Sequence, residues 1–202
     1  MEKNRLEAFS DGVVAIIITI MVLELKAPEH AADLSALKPL LPVFLSYVLS
    51  FVYVGIYWNN HHHMFQSTRH VTGGILWANL HLLFWLSLFP FATAWVGNNP
   101  FEPTPTAAYG VVVLCAAIAY TILQRCIIKN QGVHSILAKA VGRDRKGKLS
   151  MVLYCAAILF AFVHPWISNA IYILVAAIWF IPDRRIERTL AKHENEHHRE
   201  SL

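Results

Sequence analysis

The sequence is poor in charged residues and lacks the motifs of soluble enzymes. Only 15% of its 202 residues are charged, against about 25% in an ordinary globular domain. Hydrophobic residues make up 56%, and the mean hydropathy is +0.45. This apolar surplus is too large for the core of one soluble domain. The composition therefore excludes a soluble enzyme and a disordered chain, and it indicates a protein of the lipid bilayer.

Cysteine is also scarce, and no catalytic or metal motif accompanies it. The three cysteines, Cys115, Cys126 and Cys155, show no CxxC or zinc-ribbon spacing, which excludes a disulfide framework. The sequence contains no GxSxG, Walker loop, HExxH or strand-associated GxGxxG. We therefore expect a protein that is not an enzyme and holds no cofactor and no metal.

Long hydrophobic runs are abundant instead. Six stretches come near the roughly 20 residues that a bilayer-spanning helix needs. They cover residues 9–25, 40–64, 73–96, 107–128, 149–163 and 167–181. Because lipid offers backbone groups no hydrogen-bond partners, these stretches predict helices. The expected fold is an all-α integral membrane domain over residues 1–183, followed by a charged tail over residues 184–202.

Basic residues lie almost entirely on one side of this arrangement. Of the 17 lysines and arginines, 15 fall at the two termini or in the connections between segments two and three and between segments four and five. Only Lys26 and Lys38 fall on the other side. The positive-inside rule then places both termini in the cytoplasm. The net charge of +4 thus indicates an orientation and not a nucleic-acid partner.

The first segment has unusual polar ends. Only 12 uncharged residues separate Asp11 from Glu24, or about 18 Å of helix against a hydrocarbon core of roughly 30 Å. A spanning helix must therefore carry Ser10, Asp11 and Glu24 within or just at the membrane. Charged groups at that depth usually face protein or a water-filled cavity. We expect this helix to be interior and to contact water at both ends.

Helical periodicity sorts the residues of this segment. At about 100° per residue, one stripe contains Phe9, Gly12, Ile16, Thr19, Ile20 and Leu23. Thr19 carries the single hydroxyl of the stripe, and Ser10 and Asp11 point away from it, towards other helices. By itself the stripe is also typical of ordinary helix packing.

Polar residues gather at the corresponding ends of segments two and three. They are Trp58, Asn59, Asn60, His61, His62, His63, Asn79 and His81. Arg5 and Asp11 lie about 120° apart on a helix, so their partners should come from these neighbouring segments. Successive helical histidines point in different directions and cannot all bind one ion. The pattern favours a polar layer of hydrogen bonds between helices over a metal site. In the tail, His193 and His197 have the i, i+4 spacing of an adventitious zinc site.

Two motifs carry a family resemblance. Residues 5–11 read RxxxFSD and lead directly into the apolar run GVVAIIITIMVLEL. This string resembles the signature of the transmembrane protein 175 family of potassium channels, and residues 58–62, WNNHH, resemble its second-helix motif. The six-segment plan and charge layout are similar to a bacterial member with a single repeat. Ala15 departs from members that carry a small polar residue at that position.

The resemblance implies a homotetrameric cation channel of the bacterial plasma membrane, without a TVGYG-type filter. Potassium would be the permeating ion among monovalent cations, and the first helix of each subunit would line the pore. By position, the hydrophobic constriction falls on Ile16, Ile20 and Leu23, and the selectivity hydroxyl on Thr19. Glu24 would attract cations at the outer mouth. The implied structural polar network comprises Arg5, Phe9, Ser10, Asp11, Trp58, Asn59, His62, Asn79 and His81.

Two other classes of membrane protein stay open at this stage. A secondary transporter usually shows repeat symmetry and helices broken at the midplane, and the first segment has neither a proline nor a mid-helix glycine. A membrane metal-binding protein would draw on His62, His81 and His164. His164 lies on the opposite side of the predicted membrane from the other two.

Overall fold

The computed structural model describes residues 2–28, 33–68, 70–132, 135–142 and 144–180, and the regular structure within these ranges is entirely helical. This confirms the predicted all-α class. The helices are α1 (Lys3–Leu23), a 3₁₀ helix (Leu34–Leu40), α2 (Leu41–Gln66), α3 (Gly73–Ser87), α4 (Phe89–Asn98), α5 (Pro103–Gln131), α6 (Ile136–Val141), α7 (Arg145–Phe160) and α8 (Pro165–Phe180). The predicted tail over 184–202, with His193 and His197, lies outside the described residues.

Four described stretches are long and apolar enough to cross a membrane. They are Lys3–Leu23, Leu34–Gln66, Gly73–Asn98 and Pro103–Gln131. The fifth and sixth predicted segments correspond to α7 and α8, which have 16 residues each. That length gives about 24 Å of helix, somewhat less than the hydrocarbon core. The multi-pass membrane character is clear, while six crossings per chain stays a prediction.

The third predicted segment contains an interruption between two helices, although residues Gly73–Asn98 together form one candidate membrane span. α3 ends at Ser87 and α4 begins at Phe89, with Pro90 in its first turn. Proline has no N–H to donate, and its ring collides with the carbonyl group four residues earlier. The helix therefore breaks at Leu88 although the apolar composition continues.

The ends of the first helix also differ from the prediction. α1 begins at Lys3, six residues before the predicted start, and ends at Leu23, two residues before the predicted end. Hydropathy locates the part of a helix that lipid can contact, and a helix continues into polar sequence when nothing interrupts its backbone bonds. The RxxxFSD string is therefore part of α1, and its side chains have fixed helical directions.

A tyrosine cluster connects α2, α5, α7 and α8. Tyr53, Tyr109, Tyr154 and Tyr172 are each at most 2% exposed, and their rings contact one another. The Tyr53 hydroxyl donates to the Tyr172 carbonyl at 2.7 Å, and the Tyr172 hydroxyl donates to the Thr106 carbonyl at 3.1 Å. Buried hydroxyls with partners avoid the desolvation cost of unpaired polar groups. This cluster ties α2 to α5, α7 and α8.

α1 lies against one side of this bundle, in contact with α2, α3 and α4. Its inward residues are Leu6, Ser10, Val14, Ile17 and Met21, and all five are buried. They recur every three or four residues, as one face of a helix requires. The opposite face of α1 is left uncovered by the other described residues.

Candidate functional site

The predicted stripe of α1 lies on this uncovered face. Ile16 is 60% exposed and Leu23 is 70% exposed, whereas Ile17 on the inward face is 3% exposed. The other members of the stripe, Phe9, Gly12, Thr19 and Ile20, are exposed as well. Within the described part of the chain, therefore, the stripe does not pack against another helix. In a bilayer such a face meets lipid, another subunit or water.

The Thr19 hydroxyl sits on this face with its hydrogen already engaged. Its Oγ1 donates to the Ala15 carbonyl, one turn earlier, at 2.9 Å. A hydroxyl has one hydrogen and two lone pairs. The oxygen of Thr19 therefore keeps unused acceptor capacity on the exposed face of α1.

A buried chain of hydrogen bonds connects the first three helices. Asn79 of α3 lies at its centre and is fully buried. Its Nδ2 donates to Ser10 Oγ of α1 at 2.9 Å, and its Oδ1 lies 2.8 Å from His61 Nε2 of α2. Ser10 Oγ donates in turn to the Leu6 carbonyl at 2.8 Å. The predicted polar layer thus exists at this level of the bundle.

The direction of this chain follows from the chemistry of its members. Asn79 uses its amide hydrogens towards Ser10, so its carbonyl oxygen accepts from His61. His61 is therefore assigned a proton on Nε2 in this arrangement. Each polar group has a defined role, which ties the relative positions of α1, α2 and α3 to one geometry.

A second set of contacts lies on the exposed side of the same layer. Trp58 Nε1 donates to Asp11 Oδ1 at 2.9 Å, and the Trp58 ring stacks on the His62 ring with 6.3 Å between centroids. His62 Nε2 lies 2.9 Å from Gln66 Nε2. Asp11 and Trp58 are both exposed in the single chain, with Trp58 at 45%. Asp11 thus faces a neighbouring helix, α2, on the exposed side of the layer, whereas Ser10 faces the buried side.

A small cavity separates these two sets of hydrogen bonds. Its volume is about 10 Å³, close to the smallest space that holds one water molecule. Its lining includes Ser10, Asp11, Trp58 and His61, closed off by leucines of α3. The buried and exposed polar groups therefore face a common space between α1 and α2.

Other predicted network residues lie apart from these bonds. His81 is exposed and accepts a hydrogen bond from Trp85 Nε1 within α3 at 3.0 Å. Arg5 is exposed on the first turns of α1, and Asn59 is half-buried on α2. Glu24 is exposed and directly follows α1, where an outer mouth would lie. The structure therefore brings together Ser10, Asp11, Trp58, His62 and Asn79 at one level of the bundle.

His61 lies at the centre of the polar layer, whereas the predicted network residues included His62 and not His61. A signal for it exists in the sequence, since positions 53, 57, 61 and 65 fall on one buried face of α2. The three consecutive histidines do not converge. His61 meets Asn79, and His62 meets Gln66. Among the residues that the structure describes, no three His, Cys, Asp or Glu side chains are grouped as a metal site would require.

Sequence comparison finds close relatives among bacterial proteins. The chain is 55% identical over 193 residues to a potassium channel of Chryseobacterium sp., across 96% of this chain and 100% of that protein. It is 30% identical over 194 residues to a potassium channel of Chamaesiphon minutus, across 89% and 93% of the two chains. The endosomal/lysosomal proton channel TMEM175 of Homo sapiens is 34% identical over 120 residues, which cover 54% of this chain and 22% of that protein.

Comparison with solved structures and with family models also finds matches among potassium channels. The fold matches the crystal structure of a lysosomal potassium-selective channel TMEM175 homolog from Chamaesiphon minutus with a TM-score of 0.79 and 27% identity, over 90% of this chain and 98% of that one. The family model described as endosomal/lysosomal potassium channel TMEM175 matches residues 5–90, which include the stripe and both sets of hydrogen bonds. The chain therefore belongs to the TMEM175 family.

Proposed function

We propose that this chain forms a potassium-preferring cation channel of the bacterial plasma membrane, with both termini in the cytoplasm. Four copies assemble around an axis lined by α1, and ions move passively down their gradient. The bacterial relatives named potassium channels support the ion and the class of transport. Channels of this kind catalyse no covalent chemistry, which agrees with a sequence that has no enzyme motif.

The observation that carries the proposal is the uncovered face of α1. A helix with one face buried and the other exposed is ordinary at a protein surface, but this exposed face adjoins a carboxylate, Asp11, and includes a hydroxyl, Thr19. Lipid is a poor environment for both groups. In the proposed tetramer, a central water-filled path between copies of α1 gives Thr19 an aqueous surface, and the junction between copies takes Asp11 out of lipid. The apolar members of the stripe then face the same path.

The proposed mechanism depends on rings of identical side chains. Ile16, Ile20 and Leu23 form narrow apolar rings, which resist ions because a hydrated cation must lose water there. The four Thr19 oxygens replace part of that water, which favours potassium because its hydration shell is more easily removed than that of sodium. Glu24 raises the local cation concentration at the outer mouth. Opening widens or rotates the four α1 helices.

The polar contacts hold α1 in register with its neighbours. Ser10 is fixed through Asn79, and Asp11 through Trp58. Arg5 and Phe9, both exposed, extend the same layer to contacts with the adjacent copies in the tetramer. The layer therefore supports the position of the pore-lining face, and it does not itself coordinate the permeating ion.

Planar-bilayer recording of the purified protein under potassium and sodium gradients tests the proposal. A channel gives single-channel steps and a reversal potential that moves towards the potassium equilibrium potential. A flux that saturates and depends on a second solute would instead indicate a secondary transporter. Zinc or another metal retained in stoichiometric amounts would support the metal-binding alternative.

Two neighbouring isoleucines provide a matched test of the pore face. Ile16→Asn places an amide on the exposed face, where a polar group eases the passage of water and ions. We expect a larger potassium flux per assembled protein and weaker discrimination against sodium. Ile17→Asn places the same amide in the buried face, at a cost of several kcal/mol, and we expect loss of folded protein.

The readout is ion flux into liposomes, normalised to the amount of assembled protein. A lower normalised flux for Ile16→Asn, with assembly intact, would contradict the pore assignment. Comparable loss of folded protein for both variants would show that Ile16 is buried in the working assembly. Either result would indicate that the stripe serves helix packing and does not line a pore.

A further inference from the structure

Five exposed basic side chains gather at the membrane face where α5 ends. The group, here called the basic patch, consists of Arg125, Lys129, Lys139, Arg145 and Lys148. Arg125 and Lys129 are one helical turn apart and share a face of α5. Arg145 and Lys148 lie in the first turn of α7, and Lys139 lies on α6 between them.

The length of α5, together with the positive-inside rule, predicts that part of the basic patch lies in the head-group layer. Its 29 residues extend about 43 Å, well beyond the roughly 30 Å of the hydrocarbon core. A helix of this length must project from the acyl chains, and the positive-inside rule assigns its basic C-terminal turns to the head-group layer. Thr121 of α5 lines the same cavity as Asp144 and Gly147 at the start of α7. Arg125, one turn beyond Thr121, consequently lies near the level at which α7 begins.

The described part of the connection between α5 and α7, the helix α6, packs against the bundle. α6 is anchored by Leu137, which is 1% exposed and belongs to the hydrophobic core. Val141, at the other end of α6, packs against the same core. Lys139 is exposed between these two anchors. Its ammonium group is therefore held near the bundle rather than at the tip of a free loop.

Few acidic residues lie near the basic patch in the sequence to neutralise its charge. Asp144 is the one acidic residue in the described part of residues 125–148. Its carboxylate caps α7 by accepting the Gly147 N–H at 3.1 Å. Lys146 is not counted in the patch, because its Nζ lies over the Trp179 ring at 5.5 Å from the centroid.

We propose that the basic patch binds the phosphate groups of anionic phospholipids in the membrane leaflet where α5 ends. Arginine presents a planar fork of N–H donors that matches phosphate, and lysine adds point charges. Clusters of four to eight basic residues directly beside a membrane helix typically recruit anionic lipid, with each residue strengthening attraction about fivefold. The partner is a lipid surface and not a soluble anion, because the patch lies at the height of the head groups. This inference does not depend on ion conduction.

Lipid competition on the full chain in detergent micelles tests this proposal. The probes are dioleoyl-phosphatidylglycerol and dioleoyl-phosphatidylcholine, and native mass spectrometry counts the lipid retained, with thermal unfolding as a second readout. We expect preferential retention of phosphatidylglycerol, and a preference that falls as ionic strength rises. The variant Arg125→Gln/Lys129→Gln/Lys139→Gln should weaken binding of phosphatidylglycerol about 100-fold.

Two matched variants control for other causes. Lys129→Arg/Lys139→Arg keeps the charge and should retain the preference. Lys26→Gln/Lys38→Gln removes exposed charge at the opposite membrane face and should also retain it. Equal retention of both lipids by the unaltered protein, or an equal loss in the Lys26/Lys38 control, would overturn the proposal. Displacement of phosphatidylglycerol by millimolar inorganic phosphate would show a soluble-anion site and would also overturn it.

Discussion

Thr19 is the residue at which potassium preference is most directly tested. Its Oγ1 donates to the Ala15 carbonyl and leaves its acceptor lone pairs towards the exposed side of α1. Thr19→Val keeps the shape and removes this oxygen. We expect the protein to assemble and the potassium preference to fall, measured as a shift of the bi-ionic reversal potential towards zero.

Thr121→Val is a matched control for this change. Thr121 makes the same intrahelical bond, from its Oγ1 to the Ala117 carbonyl at 2.9 Å, but it lies on α5, away from the stripe. The control should leave the reversal potential unchanged. An unchanged reversal potential in Thr19→Val itself would move selectivity to another part of the conduction path.

Gly110 is a residue whose missing side chain permits the tyrosine cluster. A Cβ atom at this position would overlap the Tyr172 hydroxyl and would lie 2.7 Å from Ile158 Cγ1. Gly110→Ala should therefore displace Tyr172 and weaken its bond to the Thr106 carbonyl. We expect destabilisation of about 1–3 kcal/mol, the usual cost of overpacking a core, seen as a lower melting temperature in detergent.

Gly55 provides the comparison, since a Cβ there meets no atom within 4 Å. Gly55→Ala adds the same methyl group to a helix interior without a clash. The substitution should be neutral or slightly stabilising, because alanine favours helix over glycine by about 1 kcal/mol. Equal melting temperatures for the two variants would show that α5 and α8 adjust to the added methyl without cost.

Among the elements, α1 was the most predictable and the third predicted segment the least. The α1 stripe is periodic and uninterrupted, so helical geometry alone places Ile16, Thr19 and Leu23 on one face. The break at Leu88 lies within continuous apolar sequence, so the hydropathy profile does not indicate it. Pro90 was the one sequence signal of the break, because proline disrupts the hydrogen bonds of a helix backbone, and a hydropathy profile does not record that effect.

The polar layer could also be predicted only in part from the sequence. The sequence places polar residues of α1, α2 and α3 at one depth, because charges and apolar lengths define depth. It does not determine which of three consecutive histidines turns inward, since a 100° rotation between neighbours depends on how α2 packs. His61 faces Asn79 for that tertiary reason, and His62 faces the exposed side.

Asn79 is the residue through which α1, α2 and α3 are joined. Asn79→Ala removes an acceptor from His61 and a donor from Ser10, leaving both groups short of a partner in a buried site. The expected cost is about 1–3 kcal/mol for each group, measured by thermal unfolding. Asn60→Ala, which loses only an intrahelical bond to the Ile56 carbonyl, should cost less. Equal losses would indicate that the chain of bonds contributes no linkage between the helices.

At the scale of the whole molecule, the described residues of one chain leave a polar pair exposed. Asp11 and Trp58 bond to each other on the exposed side, beside the uncovered face of α1. An exposed carboxylate at this depth is costly in lipid, and in the proposed tetramer it lies against a neighbouring copy of the chain. Closed rotational symmetry repeats the same contact in every copy. The proposed tetramer therefore places one such pair at each junction between subunits.

Trp58→Phe tests this assembly with little change of shape. The substitution keeps an aromatic ring and removes the Nε1–H that donates to Asp11. Each subunit then holds a carboxylate with one partner fewer, at a cost of about 1–3 kcal/mol, repeated at four junctions. We expect native mass spectrometry in mild detergent to show mainly tetramers for the unaltered protein and a shift to smaller species for the variant. Trp77→Phe, on a ring that is 75% exposed on α3, should leave the tetramer intact. If Trp58→Phe assembled as fully as Trp77→Phe, the Asp11–Trp58 pair would be dispensable for assembly. If the unaltered protein gave only monomers or dimers, the fourfold pore itself would be contradicted.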